Sequence, residues 1–234
     1  MLQNRKTAVI TGGTGTIGSA MVEILSKRYD VVFTYLTNKN KASELEAAYG
    51  VKGYRCDITD HNVARRLASK FSCDLLINNA GISQIKLFSD ISELDWYKMM
   101  DVHLTGAFNF TQAFLPGMIS RKSGCIINIS SVWGVVGGSC EVHYSTAKAG
   151  LIGFTKALAK EVGPSGIRVN CIAPGVIAGD MNKKLSEEEL NELKSSTPLG
   201  RLGSAKEVAV AALYLAGADF VTGQVLGVDG GFGM

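Results

Sequence analysis

The sequence contains no CxxC pair, no apolar run long enough to cross a bilayer and no cluster of basic residues. Each absence removes a class of function. The five cysteines, at 56, 73, 125, 140 and 171, are odd in number and widely spaced. That pattern argues against a disulfide framework or a metal site, and for small buried apolar side chains in a reducing compartment. A membrane helix needs about 18–20 consecutive apolar residues, and no segment approaches that. The opening MLQNRKTAVITGG enters a turn after a very short apolar stretch, too short for a secretory signal. A cytoplasmic protein with no membrane partner is expected. The net charge is only +3 and is spread along the chain. Nucleic-acid binding needs Lys and Arg gathered on one face, so none is expected. The small positive excess still suits an anionic cofactor or substrate.

Low-complexity tracts, internal repeats and linkers are also missing. At 234 residues with 46% hydrophobic content, the chain suits one domain with a sizeable core. Short β-branched runs alternate with helix-patterned segments. The runs are 7–11, 30–35, 53–57, 74–78, 125–130, 168–174 and 224–230. Several are almost continuously apolar, as strands buried on both faces of a parallel sheet are. Helices are expected over 18–28, 60–71, 94–100, 104–120, 144–162, 186–195 and 204–217. The first should end at Lys27–Arg28, which suits a helix C-terminus. Gly163–Pro164 should stop the helix that begins near Tyr144. Strand–helix alternation over the whole length predicts an α/β fold: a Rossmann-type, doubly wound, parallel seven-stranded sheet in a single domain.

TGGTGTIG (11–18) follows the first run and opens the first helix. Gly13, Gly15 and Gly18 fit GxGxxG; Gly12, Gly15 and Gly18 fit GxxGxxG. Either spacing lets the backbone turn tightly against a pyrophosphate at the positive end of a helix. Gly12, Thr14, Gly15, Thr16, Ile17 and Gly18 are therefore candidate cofactor-binding residues. An acid that holds the ribose of NAD should stand at the end of the second strand. Here that stretch reads FTYLTNKNK (33–41), with Tyr35 or Leu36 at the position. Thr37, Asn38, Lys39 and Lys41 can instead bind a 2′-phosphate by hydrogen bonds and charge, which favours NADP (NADPH). Lys39 and Lys41 equally suit the solvated start of a helix.

Six segments in this order resemble the short-chain dehydrogenase/reductase family: TGGTGTIG (11–18), CDIT (56–59), NNAG (78–81), NISS (128–131), YSTAK (144–148) and IAPG (172–175). The resemblance runs from Thr7 to Gly231. The tail over 198–231 is most similar to the 3-oxoacyl-(acyl-carrier-protein) reductases within that family. Sugar, polyol and steroid dehydrogenases carry tails of the same style.

The resemblance implies hydride transfer between a nicotinamide and a carbonyl or alcohol carbon. It makes Tyr144 the general acid/base, Lys148 its partner on the nicotinamide ribose, and Ser131 the polariser of the substrate oxygen, with Ser130 as the fallback. The segment MDVHLTGAF (100–108) matches the place of a proton-relay asparagine, and His103 stands there. Asp57 and Ile58 would face the adenine. Asn79, Ala80 and Gly81 would approach the adenine-side ribose. Pro174, Gly175 and Ile177 would line the nicotinamide. Gly179 replaces a threonine common in relatives, which suggests a more mobile loop. Residues 178–197 would form a substrate lid, with Met181, Leu185, Leu190 and Leu193 as its apolar face.

Elementary chemistry supports the tyrosine's role. A free phenol has a pKa near ~10, too high for a proton shuttle at neutral pH. Lys148 at i+4 lies one turn along the same face, so the tyrosine pKa should fall toward working pH. The expected substrate is a small molecule or a carrier-bound acyl group, with acyl carrier protein as a partner that Arg121 and Lys122 could meet. The resemblance also implies a homotetramer, built through 104–120, 144–162 and the last strand. A sugar or polyol dehydrogenase, and a non-catalytic cofactor-binding subunit, remain alternatives.

Overall fold

A computed structural model describes residues 5–179 and 186–234. Seven strands form one sheet in the order β3-β2-β1-β4-β5-β6-β7, and every neighbouring pair is parallel. They are β1 (Thr7–Ile10), β2 (Asp30–Tyr35), β3 (Lys52–Arg55), β4 (Leu75–Asn78), β5 (Gly124–Ile129), β6 (Ile167–Pro174) and β7 (Val225–Val228). The order reverses between β1 and β4. That switch point is where an open α/β sheet binds ligands, outside the carboxyl ends of its strands.

Side-chain alternation with period two assigns each strand residue to a face. Ala8, Ile10, Val31, Phe33, Leu75, Ile77, Cys125 and Ile127 point to one side. There they meet α1 (Thr16–Leu25), α2 (Lys39–Tyr49) and α9 (Ala205–Gly217). Val9, Val32, Leu76, Ile126 and Val169 point to the other. There they pack on α3 (His61–Ala68), α5 (Gly106–Arg121) and α7 (Val142–Val162). Both faces are therefore apolar, which explains the near-continuous hydrophobic runs.

Two helix expectations need correction, and one helix, α2, is not among those expected. The first helix ends at Leu25, so Lys27 and Arg28 fall in the turn beyond it, and Ser26 closes the helix on Val22 O instead. Helix α2 begins at Lys39, which Asn38 caps by accepting from the Lys41 amide. The region 94–120 is not two simple helices. Between α4 (Glu93–Met100) and α5 lies a π-turn, Asp101–Thr105. Such turns inside α-helices are rare and concentrate at functional sites. The stop at Gly163 holds: α7 ends at Val162 and Gly163–Ser165 form a short 3-10 turn. The short α6 (Trp133–Val136) and the capped α8 (Glu187–Ser195) complete the set among the described residues.

Candidate active site

The loops that follow β1, β4, β5 and β6 converge at one end of the sheet. After β1, Gly12 adopts φ +69, a left-handed conformation that favours glycine. A Cβ there would also meet Ala80 Cα at 2.7 Å, and one on Gly18 would meet Asn79 Nδ2 at 2.9 Å. A Cβ on Gly15 would have nothing nearer than 3.5 Å. The turn is thus tight against NNAG and open at Gly15. Gly15 N-caps α1 without any side-chain bond. The first-turn amides of Ile17 and Gly18 find no acceptor among the described residues. An open glycine turn with unpaired amides at a helix N-terminus fits a dinucleotide pyrophosphate.

The NNAG segment is sewn to that turn. Thr11 Oγ1 accepts from the amides of Asn79 and Ala80, both at 3.0 Å. Asn79 Nδ2 donates to Thr11 O and Gly12 O. Just beyond β3, Asp57 Oδ1 accepts from the amide and hydroxyl of Thr59, and Ile58 is buried. Thr37 is exposed. Asn38 is occupied as the α2 cap, and Lys41 pairs with Glu44 at 3.1 Å. Of the candidates for a 2′-phosphate, Lys39 is left with a free ammonium among the described residues.

Ser131, Tyr144 and Lys148 meet where β5 ends against the start of α7. Ser130 Oγ donates to Lys148 O at 2.8 Å, so its hydroxyl is spent on the helix backbone. Ser131 Oγ accepts from the Trp133 amide at 3.2 Å, and its hydroxyl is hydrogen-bonded to the Tyr144 phenol. The two serines therefore differ in their partners: Ser130 is tied to the α7 backbone and Ser131 to the Tyr144 phenol. Lys148 is buried, and its Nζ donates to Ile129 O at 2.8 Å. It lies 5.6 Å from the Tyr144 ring centroid.

The electrostatics differ from the sequence expectation. Burial pushes the Tyr144 phenol up to about 12; a hydrogen bond with Ser131 opposes this and the Glu141 carboxylate adds to it. Burial also brings Lys148 down to about 8. Desolvation disfavours the charged form of each group. At Tyr144 it outweighs the Ser131 hydrogen bond, and the Lys148 ammonium is directed at the Ile129 carbonyl.

His103 sits in the π-turn and is buried. Its Nε2 lies 2.8 Å from Ile82 O. The Ile82 amide also points at Nε2, at 3.3 Å, but the shorter contact to the carbonyl calls for a proton on Nε2, which leaves Nδ1 as an acceptor. Nδ1 is buried and unpartnered among the described residues. Burial holds the imidazole well below its usual range, helped by the Lys148 charge.

The loop after β6 closes the site. Pro174 O accepts from the Val132 amide, and the Gly175 amide donates to Val228 O. Ile177 forms a bridge with Gly203. Gly179 is explained by packing: a Cβ there would meet Thr16 Oγ1 at 2.7 Å. Its absent side chain thus lets this loop approach the glycine turn, where the sequence suggested added mobility. Met181 and Leu185 lie outside the described residues. Leu190 and Leu193 are half-buried on α8.

Sequence reasoning missed the polar chain beneath the site. Asn78 Nδ2 donates to Thr111 Oγ1 and to Asn128 Oδ1, and Asn128 Nδ2 donates to Thr155 Oγ1. It also missed Glu141 beside the phenol. Inward-facing Asn in otherwise apolar strands was the available signal for the first.

A family profile described as enoyl-(acyl carrier protein) reductase matches residues 13–233. The chain belongs to the short-chain dehydrogenase/reductase family. It is 42% identical to the 3-oxoacyl-(acyl-carrier-protein) reductase FabG of Aquifex aeolicus, over 97% of this chain and 96% of that protein. It is 39% identical to the uncharacterized oxidoreductase YmfI of Bacillus subtilis, over 97% and 98%. The crystal structure of a 3-oxoacyl-(acyl-carrier protein) reductase from Brucella melitensis superposes with a TM-score of 0.91 at 36% identity, covering 98% of this chain and 91% of that one. As a short-chain dehydrogenase/reductase, the protein is an NAD(P)-dependent oxidoreductase acting on C=O and CH–OH groups. None of its described helices is long and apolar enough to cross a membrane.

Proposed function

We propose that this protein is an NADPH-dependent reductase of the 3-oxo group of an acyl thioester, serving fatty-acid or polyketide-type synthesis in the cytoplasm. The observation that carries the reading is the meeting of Ser131, Tyr144 and Lys148 beside an open glycine turn. The names of the relatives from Aquifex aeolicus and Brucella melitensis support the substrate class. Bound at the glycine turn, the cofactor supplies hydride.

The chain's own residues manage the oxygen and its proton. Ser131 Oγ donates a hydrogen bond to the substrate carbonyl oxygen, where negative charge develops. Tyr144 Oη gives that oxygen its proton. A phenol with a pKa near 12 is fully protonated at neutral pH, the state that reduction consumes. Lys148, near 8, stands close enough to neutrality to return a proton to the tyrosine. His103 Nδ1, buried and unpartnered among the described residues, would accept from a water on that route. Burial of all these groups excludes bulk solvent and strengthens each interaction.

The assembly belongs to the same reading. Phe108 and Ile119 on α5, and Val142 on α7, are large exposed apolar side chains, consistent with a homotetramer built through these helices. Acyl carrier protein would deliver the substrate. Lys122 is the free basic residue for it, because Arg121 Nη2 is held by Cys73 O at 2.7 Å.

The test is NADPH oxidation followed with a short 3-oxoacyl thioester. Turnover that disappears in Tyr144→Phe is expected. Turnover only of alcohols with NAD⁺ would place the protein among the polyol or sugar dehydrogenases, and tight NADPH binding without any turnover would make it a non-catalytic subunit.

A further inference from the structure

The cofactor preference has a residue that the motif pattern does not contain. Parallel pairing of β2 with β3 sets Arg55 beside Tyr35, at the carboxyl ends of both strands. Arg55 Nε donates to Leu36 O at 3.0 Å. That bond fixes the guanidinium against the β2–α2 loop, where an acid would hold the ribose of NAD. Its two terminal nitrogens have no partner among the described residues, and the side chain is exposed.

The acids around it are engaged elsewhere. Asp57 is turned to Thr59, Asp60 caps α3, Glu44 pairs with Lys41, and Glu46 accepts from the Gly53 amide. Tyr35, Leu36 and Thr37 bring no negative charge. On the other side of the loop, Lys39 starts α2, whose positive end faces the same corner. A fixed guanidinium with two free N–H edges, a free ammonium and no competing carboxylate make an anion site. Arginine suits it because its planar fork matches phosphate oxygens in pairs.

We propose that Arg55, with Lys39 as the second cation, clamps the adenosine 2′-phosphate and so selects NADPH over NADH. This rests on the reading of the strand-end site as a dinucleotide site. It differs from the sequence expectation by moving the phosphate contact from Asn38 and Lys41 to a residue on the neighbouring strand.

The experiment measures dissociation constants of NADPH and NADH by nicotinamide fluorescence, for the wild type, Arg55→Ala and Arg55→Gln. Melting temperatures check that each variant is folded; Gln keeps a donor for Leu36 O should the alanine variant not fold. NADPH binding is expected to weaken at least about tenfold, as the loss of a charge-assisted pair implies, with NADH binding unchanged. The slope of NADPH affinity against salt should flatten toward that of NADH. Equal losses for both nucleotides, unchanged NADPH affinity, or a wild type that binds the two alike would overturn the proposal. In that last case, ketone turnover with NADH would leave the reductase reading intact. Binding of neither nucleotide would remove both.

Discussion

The ring of His103 stands edge-on to the ring of Tyr144, with centroids 5.4 Å apart and planes at 83°. This geometry couples the π-turn to the phenol. The histidine's Nε2–H is committed to Ile82 O, and its free Nδ1 is buried on the same side of the site. In the proposed mechanism His103 would be a positioning residue, acting on Tyr144 by its ring and on the proton route by its acceptor. Replacing it with Ala should lower kcat by at least about tenfold, with KM and NADPH affinity little changed. Asn, which keeps an acceptor, should restore part of the rate. The wild-type kcat profile should show no ionisation in the ordinary histidine range, because burial keeps the ring neutral. A limb near ~6.5 that vanished in the Ala variant would contradict this.

Tyr144→Phe removes only a hydroxyl from a buried, well-packed ring. Turnover should fall on the order of 10²–10⁴-fold, the usual worth of a positioned acid. NADPH affinity should stay within about twofold, since the ring remains. Residual activity near the wild-type level in stopped-flow assays would remove the tyrosine from the chemistry.

Lys148 sets a pH dependence of stability. Its folded pKa, about 8, is depressed below the ordinary lysine value of 10.5. Between those values the unfolded chain binds the proton and the folded protein does not. Stability therefore rises with pH through that window, by up to about 1.4 kcal/mol per unit. Tyr144 acts oppositely but only above pH 10, because its pKa is raised. Urea midpoints should increase from pH 7.5 to 9.5 in the wild type, and less so in Lys148→Met. Parallel pH curves for the two proteins would show that the lysine is not buried as a charge.

Gly12→Ala combines a left-handed φ of +69 with a collision at Ala80 Cα, 2.7 Å away. The strain is on the order of 1–3 kcal/mol. Both urea stability and NADPH affinity should drop. Gly50→Ala, at φ +65 with nothing within 4 Å, should cost stability through the backbone alone and leave nucleotide binding unchanged. The same loss of NADPH affinity in both variants would mean the glycine turn is not the binding turn.

The sheet was legible because its strands are buried on both faces, and β-branched runs such as DVVFTY have few other uses. The glycine turn and the Tyr144–Lys148 pair were legible because short-range spacing creates them. Helix α2 was harder: only Ala42 and Leu45 of its eleven residues are buried, so its apolar stripe is faint. Lys27–Arg28 misled because a charge preference at helix ends is weak beside the packing that stops α1 at Leu25. The π-turn has no local sequence signal and arises from what α4 and α5 pack against. The pKa directions were beyond reach, because burial, unlike spacing, is a property of the whole fold. Arg55 was hidden for a related reason: only strand register brings it beside Tyr35.

The hydrogen bond from Ser130 to the Lys148 carbonyl has a mechanical consequence. It fastens helix α7 to the tip of β5 at the very residue that bears the ammonium. Thermal jostling of that helix must drag serine, phenol and amine together as one solid block. The glycine turn hangs from β1, across the switch point, and is joined to that block through NNAG and β4. The mutual aim of the proton-handling groups thus has an anchor of its own, distinct from the bonds that hold the glycine turn to NNAG.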